Sequence, residues 1–125
     1  MSKLPKRILI VEDEWFIASE YERVLGDAGY GIVGIAVSCA EAAEFCEQHH
    51  PSFIIMDVRM RGTRDGIDCA REVYRRWGIR SVFITAHGDA AMRRRAEDAN
   101  ALGWIMKPVL PSELVAKIAA LLPSD

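Results

Sequence analysis

The stretch RILIVEDEW, residues 7–15, places four apolar residues directly before three consecutive acids, Glu12, Asp13 and Glu14. A short apolar run rich in branched side chains predicts a buried β-strand. Neighbouring carboxylates repel each other, by roughly 4 kcal/mol for two charges 4 Å apart at an effective dielectric near 20. Something must therefore compensate the repulsion at the end of this strand.

Further apolar runs alternate with segments of helical periodicity along the whole sequence. The predicted strands are 7–11, 31–37, 52–56, 81–85 and 103–106, and the predicted helices are 14–28, 38–49, 66–77, 89–101 and 111–122. Five strands alternating with five helices predict parallel β-α-β units with right-handed crossovers. The strands are apolar on both faces, which favours a sheet covered by helices on both sides. In such α/β folds, reactive residues gather at the carboxyl ends of the strands.

Length and composition indicate one globular domain over residues 1–125, with a core over about 6–122 and no output domain. Half of the residues are apolar, 27% are charged, and the formal net charge is −2. This balance gives no indication of direct nucleic-acid binding or of membrane insertion, and no apolar run approaches the roughly 20 residues of a membrane span. The start MSKLPKR lacks the apolar centre of a signal peptide. We expect a natural single-domain protein located in the cytoplasm.

Three cysteines, Cys39, Cys46 and Cys69, are an odd number without C-x-x-C spacing. This pattern predicts reduced residues in a reducing cytoplasm, neither disulfides nor zinc ligands.

Polar residues follow four of the five predicted strands. They are Glu12, Asp13 and Glu14 after the first, Asp57 after the third, Thr85, Ala86 and His87 after the fourth, and Lys107 and Pro108 after the fifth. Each has a local explanation as a helix-start acid, a turn residue, a β-residue or ordinary loop chemistry. Taken together, however, they all fall at ends that the fold brings to one edge. Converging carboxylates indicate a divalent cation, and an all-oxygen ligand set suits Mg²⁺. The hydroxyl and the ammonium opposite suit an anion with three oxygens.

The residues Glu12, Asp13, Asp57, Thr85 and Lys107–Pro108 resemble those of the receiver domain of bacterial two-component response regulators. The resemblance covers essentially the whole chain. It implies a flavodoxin-like, doubly wound (βα)5 sandwich whose five-stranded parallel sheet has the order 2-1-3-4-5. It also implies a signalling protein rather than an enzyme, which accepts a phosphoryl group on an aspartate.

The resemblance assigns a role to each of these positions. Asp57 is the phosphoacceptor, and Thr85 and Lys107 hold phosphoryl oxygens. Mg²⁺ is held by Asp13, by Asp57, by the backbone carbonyl of Arg59, and by Glu12 directly or through water. The Lys107–Pro108 peptide bond is expected to be cis.

The resemblance also implies a switch. Phosphorylation is expected to pull Thr85 toward the phosphoryl group and to move Trp104, which changes the surface of the fourth helix, fifth strand and fifth helix. A half-buried tryptophan at the sheet edge is an alternative reading of Trp104. Three arginines, 93–95, are consistent with a solvated helix face or with a surface for a partner or a second copy of the chain.

The sequence departs from the family near the acceptor. Arg61 stands where many receivers have proline after the residue equivalent to Met60, and the loop is one residue longer before Gly66. Arg59 and His87 lie two residues after Asp57 and Thr85, where the family's side chains influence the lifetime of the phosphoryl group. We expect them to crowd the attacking water and slow dephosphorylation, the alternative being that both point to solvent.

The expected phosphodonor is a histidine kinase or a histidine phosphotransfer protein, and the downstream protein is unknown. Direct regulation of a target, a relay and a phosphate sink all remain open. An alternative is a Mg²⁺-dependent phosphohydrolase with Asp57 as nucleophile, as in the haloacid dehalogenase group, although Arg59 stands where such enzymes carry a second aspartate. A flavin or nucleotide binder would need a Gly-rich loop after the first strand, which this sequence lacks.

Overall fold

The computed structural model describes residues 6–60 and 65–123 as five strands alternating with five helices. The strands are β1 (Arg7–Val11), β2 (Gly31–Ala36), β3 (Phe53–Asp57), β4 (Ser81–Thr85) and β5 (Gly103–Met106). The helices are α1 (Trp15–Asp27), α2 (Cys39–His49), α3 (Gly66–Trp77), α4 (Ala90–Arg95) and α5 (Pro111–Leu121), with a 3₁₀ turn at Glu97–Ala99. Within the described residues, no helix is long and apolar enough to span a membrane.

The five strands form one parallel sheet in the order β2-β1-β3-β4-β5, which confirms the predicted fold class. In the register, Val11 lies opposite Met56, and Asp57 lies opposite Ile84. The strand order reverses between β1 and β3, so the residues that follow these two strands become neighbours at one edge.

Each face of the sheet carries its own apolar core. On one face, α1 and α5 pack over alternate strand residues such as Ile10, Ile55 and Ile84. On the other face, α2, α3 and the segment after α4 pack over residues of the opposite parity, such as Met56 and Phe83. The alternation follows from the two-residue period of a strand, and it explains why the strands are apolar on both faces.

Local sequence signals set most helix ends. Ser38, Asp65 and Asp89 each accept a hydrogen bond from a backbone N–H three residues on, which satisfies a free donor at the start of a helix. Before the amino ends of β4 and β5, Gly78 ends α3 and Asn100 ends the 3₁₀ turn. Both residues are in the left-handed conformation, with φ of 70° and 52°.

The fourth helix is shorter than the predicted segment 89–101. It ends at Arg95, and the Ala96 N–H donates to the carbonyl of Arg93, three residues back, which tightens the chain into the 3₁₀ turn. No residue of α4 is buried, whereas Ala96 and Ala99 are. The buried alanines therefore anchor the segment, and α4 itself is a polar helix on the surface.

The prediction of reduced cysteines is wrong for two of the three. Cys39, at the start of α2, and Cys69, in α3, form a disulfide across neighbouring helices, while Cys46 is free and buried. The packing of α2 against α3 brings the two Cα atoms within 5.6 Å, inside the range that a disulfide spans. Spacing along the chain carries no signal of a contact between two helices 30 residues apart.

Candidate functional site

Three carboxylates meet at the carboxyl ends of the central strands. Glu12 and Asp13 follow β1, Asp57 ends β3, and one oxygen of each lies within 4.8 Å of the others. Glu12 is 2% exposed and Asp57 is 5% exposed. The Glu12 N–H donates to the carbonyl of Ala36 at 3.0 Å. This hydrogen bond continues the pairing of β1 with β2 by one residue and holds the Glu12 backbone at the carboxyl end of β1.

Lys107 completes this cluster from the end of β5. Its backbone N–H donates to the Thr85 carbonyl at 2.8 Å, and the Lys107–Pro108 peptide bond is cis. The Nζ atom lies 3.7 Å from Asp57 Oδ1 and 3.8 Å from Glu12 Oε1. When Glu12, Asp13 and Asp57 are all ionised, three negative charges lie close together beside this ammonium.

Burial shifts the protonation of two of these acids. Desolvation raises the pKa of Glu12 from 4.5 to about 8, supported by repulsion from Asp57 and opposed by the hydrogen bond that the Glu14 N–H donates to Glu12. Desolvation also raises the pKa of Asp57, although Lys107 lowers it. In both residues, burial disfavours the charged form, and a bound cation would favour it.

The donor set fits a hard divalent cation. Glu12 Oε1 is buried and, within the described part of the chain, has no hydrogen-bond partner, so a ligand-capable oxygen faces the cluster unused. Carboxylate oxygens in a set too small to enclose an ion are typical of Mg²⁺, which retains several waters. Glu12, Asp13 and Asp57 are the residues that would hold it.

Arg59 and His87 take different positions relative to Asp57. The Arg59 N–H donates to Asp57 Oδ1 at 3.1 Å, and its exposed side chain lines the cleft above Asp57. His87 is also exposed, and its backbone bonds to Thr85. The predicted effects of Arg59 and His87 on the lifetime of a phosphoryl group stay predictions.

Thr85 is tied within its own loop. Its hydroxyl donates to the carbonyl of His87 at 3.2 Å and accepts from the His87 N–H at 3.1 Å, and it lies 3.9 Å from the Met92 sulfur. The side chain is 3% exposed. A bond from this hydroxyl to a ligand at Asp57 would compete with the bond to His87.

Trp104 lies between the sheet and α4. It is partly buried and stacks on Phe83, with ring centroids 4.6 Å apart. The Arg93 guanidinium covers the ring, with Cζ 5.1 Å from its centroid. Trp104 is therefore half buried, as the alternative prediction stated, and its role in switching stays a prediction.

Sequence reasoning missed part of the cleft wall. The cleft has a volume of about 590 Å³. It is lined by the predicted strand-end residues Glu12, Asp13, Glu14, Asp57, Ala86 and Lys107, by Arg59, and also by Val58, Met60, Asp65 and Met92. The helix-capping pattern of Asp65 could have placed it at the start of α3, facing this edge. Met92, in the middle of α4, carries no such signal. The predicted departure at Arg61 lies outside the described residues.

Comparison with known proteins identifies the family. Residues 8–119 match the model of the response regulator receiver domain. The transcriptional regulatory protein PdtaR of Mycobacterium tuberculosis is 40% identical over 115 residues, which cover 92% of this chain and 56% of PdtaR. The chemotaxis protein CheY of Thermotoga maritima is 32% identical over 111 residues, which cover 88% of this chain and 92% of CheY.

Solved structures agree with the fold. A putative response regulator from Chloroflexus aurantiacus superposes with a TM-score of 0.79 at 30% identity, covering 94% of this chain and 97% of that one. CheY4 of Vibrio cholerae superposes with a TM-score of 0.85 over 94% of this chain and 99% of that one; at 23% identity it supports the fold alone.

The chain belongs to the response regulator receiver family of two-component systems. Receiver domains are phosphoaccepting signalling modules that interact with histidine kinases and downstream effectors. The chain spans about half the length of PdtaR, 56%.

Proposed function

We propose that this protein is a Mg²⁺-dependent switch in the cytoplasm that accepts a phosphoryl group on Asp57 from a phosphohistidine. The observation that carries the proposal is the cluster of three carboxylates with the Lys107 ammonium at 3.7 Å from Asp57. A buried carboxylate beside an ammonium and a cation site has what is needed to attack phosphorus.

The chain's own residues have separate roles in the transfer. An Asp57 oxygen attacks phosphorus, a P–O bond forms, the P–N bond to the donor imidazole breaks, and the imidazole leaves with the electron pair. Lys107 offsets negative charge on the transferring oxygens, and the Arg59 N–H fixes Asp57 Oδ1. Mg²⁺, when bound by Glu12 and Asp13 with Asp57 and the Arg59 carbonyl, supplies further positive charge there. Such transfer depends mainly on positioning and charge stabilisation.

The added phosphoryl group brings roughly 1.5 to 2 negative charges to one point. Thr85 then exchanges its bond to His87 for one to a phosphoryl oxygen, which shifts the loop between β4 and α4. Trp104 follows, and the face formed by α4, β5 and α5 changes its affinity for a downstream protein or for a second copy of this chain.

An apolar surface beside the cleft supports a protein as phosphodonor. Ala86 and Lys107 line both the acceptor cleft and a second, apolar cleft of about 480 Å³ at α1. Phe16, which lines this second cleft, is 78% exposed, and Trp15, the residue before it in the chain, is 63% exposed. Large exposed apolar side chains of this kind mark interaction sites. We expect Phe16→Ala to slow transfer from a histidine kinase or phosphotransfer protein while transfer from acetyl phosphate stays at the parent's rate.

Acetyl phosphate provides the direct test of the acceptor. The protein is incubated with acetyl phosphate and Mg²⁺, and intact mass is followed over time. We expect an adduct of one phosphoryl group, absent from Asp57→Ala and from the parent in EDTA. Glu14→Gln, which neutralises an exposed acid next to the cluster, is the matched control and should be phosphorylated like the parent.

Two outcomes would contradict the proposal. An adduct that persists in Asp57→Ala would place the acceptor elsewhere. Multiple turnover of a phosphoester would favour the phosphohydrolase. The lifetime role of Arg59 and His87 has its own test, because decay of the adduct at the parent's rate in both alanine variants would refute it.

A further inference from the structure

Arg93 connects the loop after β4 to the Trp104 ring. Its Nε donates to the carbonyl of Gly88 at 3.2 Å, and its guanidinium covers Trp104 with Cζ 5.1 Å from the ring centroid. A planar guanidinium can donate from its edge and stack through its face at the same time, which an ammonium cannot do.

The loop that Arg93 holds is the one that carries Thr85. The hydroxyl of Thr85 bonds to the backbone of His87, and Gly88 is the next residue along the chain. In this arrangement the hydroxyl is committed to its own loop. The Arg93–Gly88 bond therefore belongs to the arrangement in which Thr85 is not bonded to a group on Asp57.

Arg93 is not needed to hold α4 in place. Arg95, two residues on, pairs with Asp65 at 2.9 Å and with Asp68 at 3.2 Å, which ties α4 to the start of α3. Loss of the Arg93 side chain should leave this attachment intact. The contacts of Arg93 with Gly88 and Trp104 can therefore be tested without moving the helix.

We propose that Arg93 is a positioning residue that couples Thr85 to Trp104, by stabilising the arrangement in which the Thr85 hydroxyl bonds within its loop. The proposal rests on the proposed function, since it concerns how a phosphoryl group at Asp57 reaches the α4–β5 face. A ligand that recruits Thr85 then has to overcome the two Arg93 contacts. Arg93 thereby sets how readily the switch responds.

Linkage gives the direction of the effect. One hydrogen bond and one cation–π contact together change a two-state population by about tenfold. The arrangement that binds a phosphoryl analogue is the one in which the Thr85 hydroxyl has left His87. When this arrangement is the minor one, a shift of the population toward it raises the apparent affinity for the ligand by the same factor. Arg93→Gln should therefore bind beryllofluoride, a phosphoryl analogue, up to about tenfold more tightly at saturating Mg²⁺. A damaged fold would have the opposite effect, weaker binding.

The experiment uses the whole chain labelled with 5-fluorotryptophan and followed by ¹⁹F NMR during a beryllofluoride titration with Mg²⁺. The chain has three tryptophans, and Trp104→Phe assigns the resonance of interest. In Arg93→Gln without beryllofluoride, we expect this resonance to move toward its position in the saturated parent. Arg94→Gln removes the same charge from the next position of α4 and should match the parent in shift and affinity.

The outcomes separate this proposal from the proposed function. Equal affinity and an unshifted Trp104 resonance in Arg93→Gln, with a responsive parent, would overturn the role of Arg93 alone. A change of equal size in Arg94→Gln would show that net charge is the cause, and would also overturn it. A parent that shows no beryllofluoride-dependent change would count against the proposed function itself.

Discussion

Replacement of Glu12 by glutamine tests the electrostatics of the cluster most directly. The variant keeps the size of the side chain and the oxygen that accepts from the Glu14 N–H at 3.1 Å, but it removes the charge. Because Glu12 is 2% exposed and faces Asp57, its ionised form is poorly compensated in the folded protein. We expect Glu12→Gln to be more stable than the parent in EDTA at neutral and alkaline pH.

The magnitude follows from the raised pKa of Glu12, 4.5 in its ordinary environment and about 8 in the fold. A group whose pKa rises on folding stabilises the folded state fully below the lower pKa, and this contribution is lost as pH rises through the higher one. Each pKa unit corresponds to about 1.4 kcal/mol. At pH 7 the parent should therefore be less stable than Glu12→Gln by about 3 kcal/mol, whereas near pH 4 the two should be equal.

Urea denaturation measures this difference, at several pH values from 4 to 8.5, in EDTA and again in saturating Mg²⁺. Mg²⁺ stabilises whichever folded protein binds it. We therefore expect the advantage of Glu12→Gln to shrink in Mg²⁺, because the parent keeps the stronger ligand. The control Glu14→Gln alters an exposed acid next to the cluster and should change the free energy of unfolding only slightly. A pH-independent difference for Glu12→Gln would refute the assigned pKa and its cause.

Three further changes have defined outcomes. Reduction of Cys39–Cys69, which opens a loop with a sequence separation of 30, should lower the free energy of unfolding by about 3 to 4 kcal/mol in urea denaturation. Gly66→Ala should lower it by at least about 2 kcal/mol in the same measurement, because a Cβ there would overlap the Asp57 carbonyl oxygen. Lys107→Met should slow phosphorylation by acetyl phosphate about a hundredfold, as followed by intact mass, since it removes the ammonium 3.7 Å from Asp57.

Each of these has a result that would contradict it. A reductant that also destabilises Cys39→Ala would act through some other group than the disulfide. A Gly66→Ala variant as stable as the parent would mean that α3 can shift away from β3 at little cost. Unchanged phosphorylation of Lys107→Met would mean that the ammonium does not offset charge in the transfer.

Much of the site could be predicted because it depends on strand ends. Glu12, Asp57 and Lys107 each follow an apolar run, and a parallel sheet brings the carboxyl ends of its strands to one edge whatever the details of the helices. Strand order needed the family resemblance, since the alternation of strands and helices alone is compatible with several orders.

What could not be predicted depends on contacts between helices. The disulfide joins Cys39 and Cys69 across α2 and α3, and the position of Arg93 over Trp104 depends on where α4 ends. Helical periodicity continues through Ala96, so the tightening of the backbone there leaves no mark in the pattern of apolar residues. Side chains that meet only through tertiary packing have no fixed spacing in the sequence.

The helix stops at Gly78 and Asn100 have a consequence for engineering. Both turns lie at the amino ends of the strands, just before β4 and β5, while the acid cluster lies at the carboxyl ends. The chain thus separates the turns that define its topology from the residues that carry its chemistry by the full length of a strand. New chain ends created by circular permutation, or an attached fluorophore, could be introduced at these turns without touching the acid cluster.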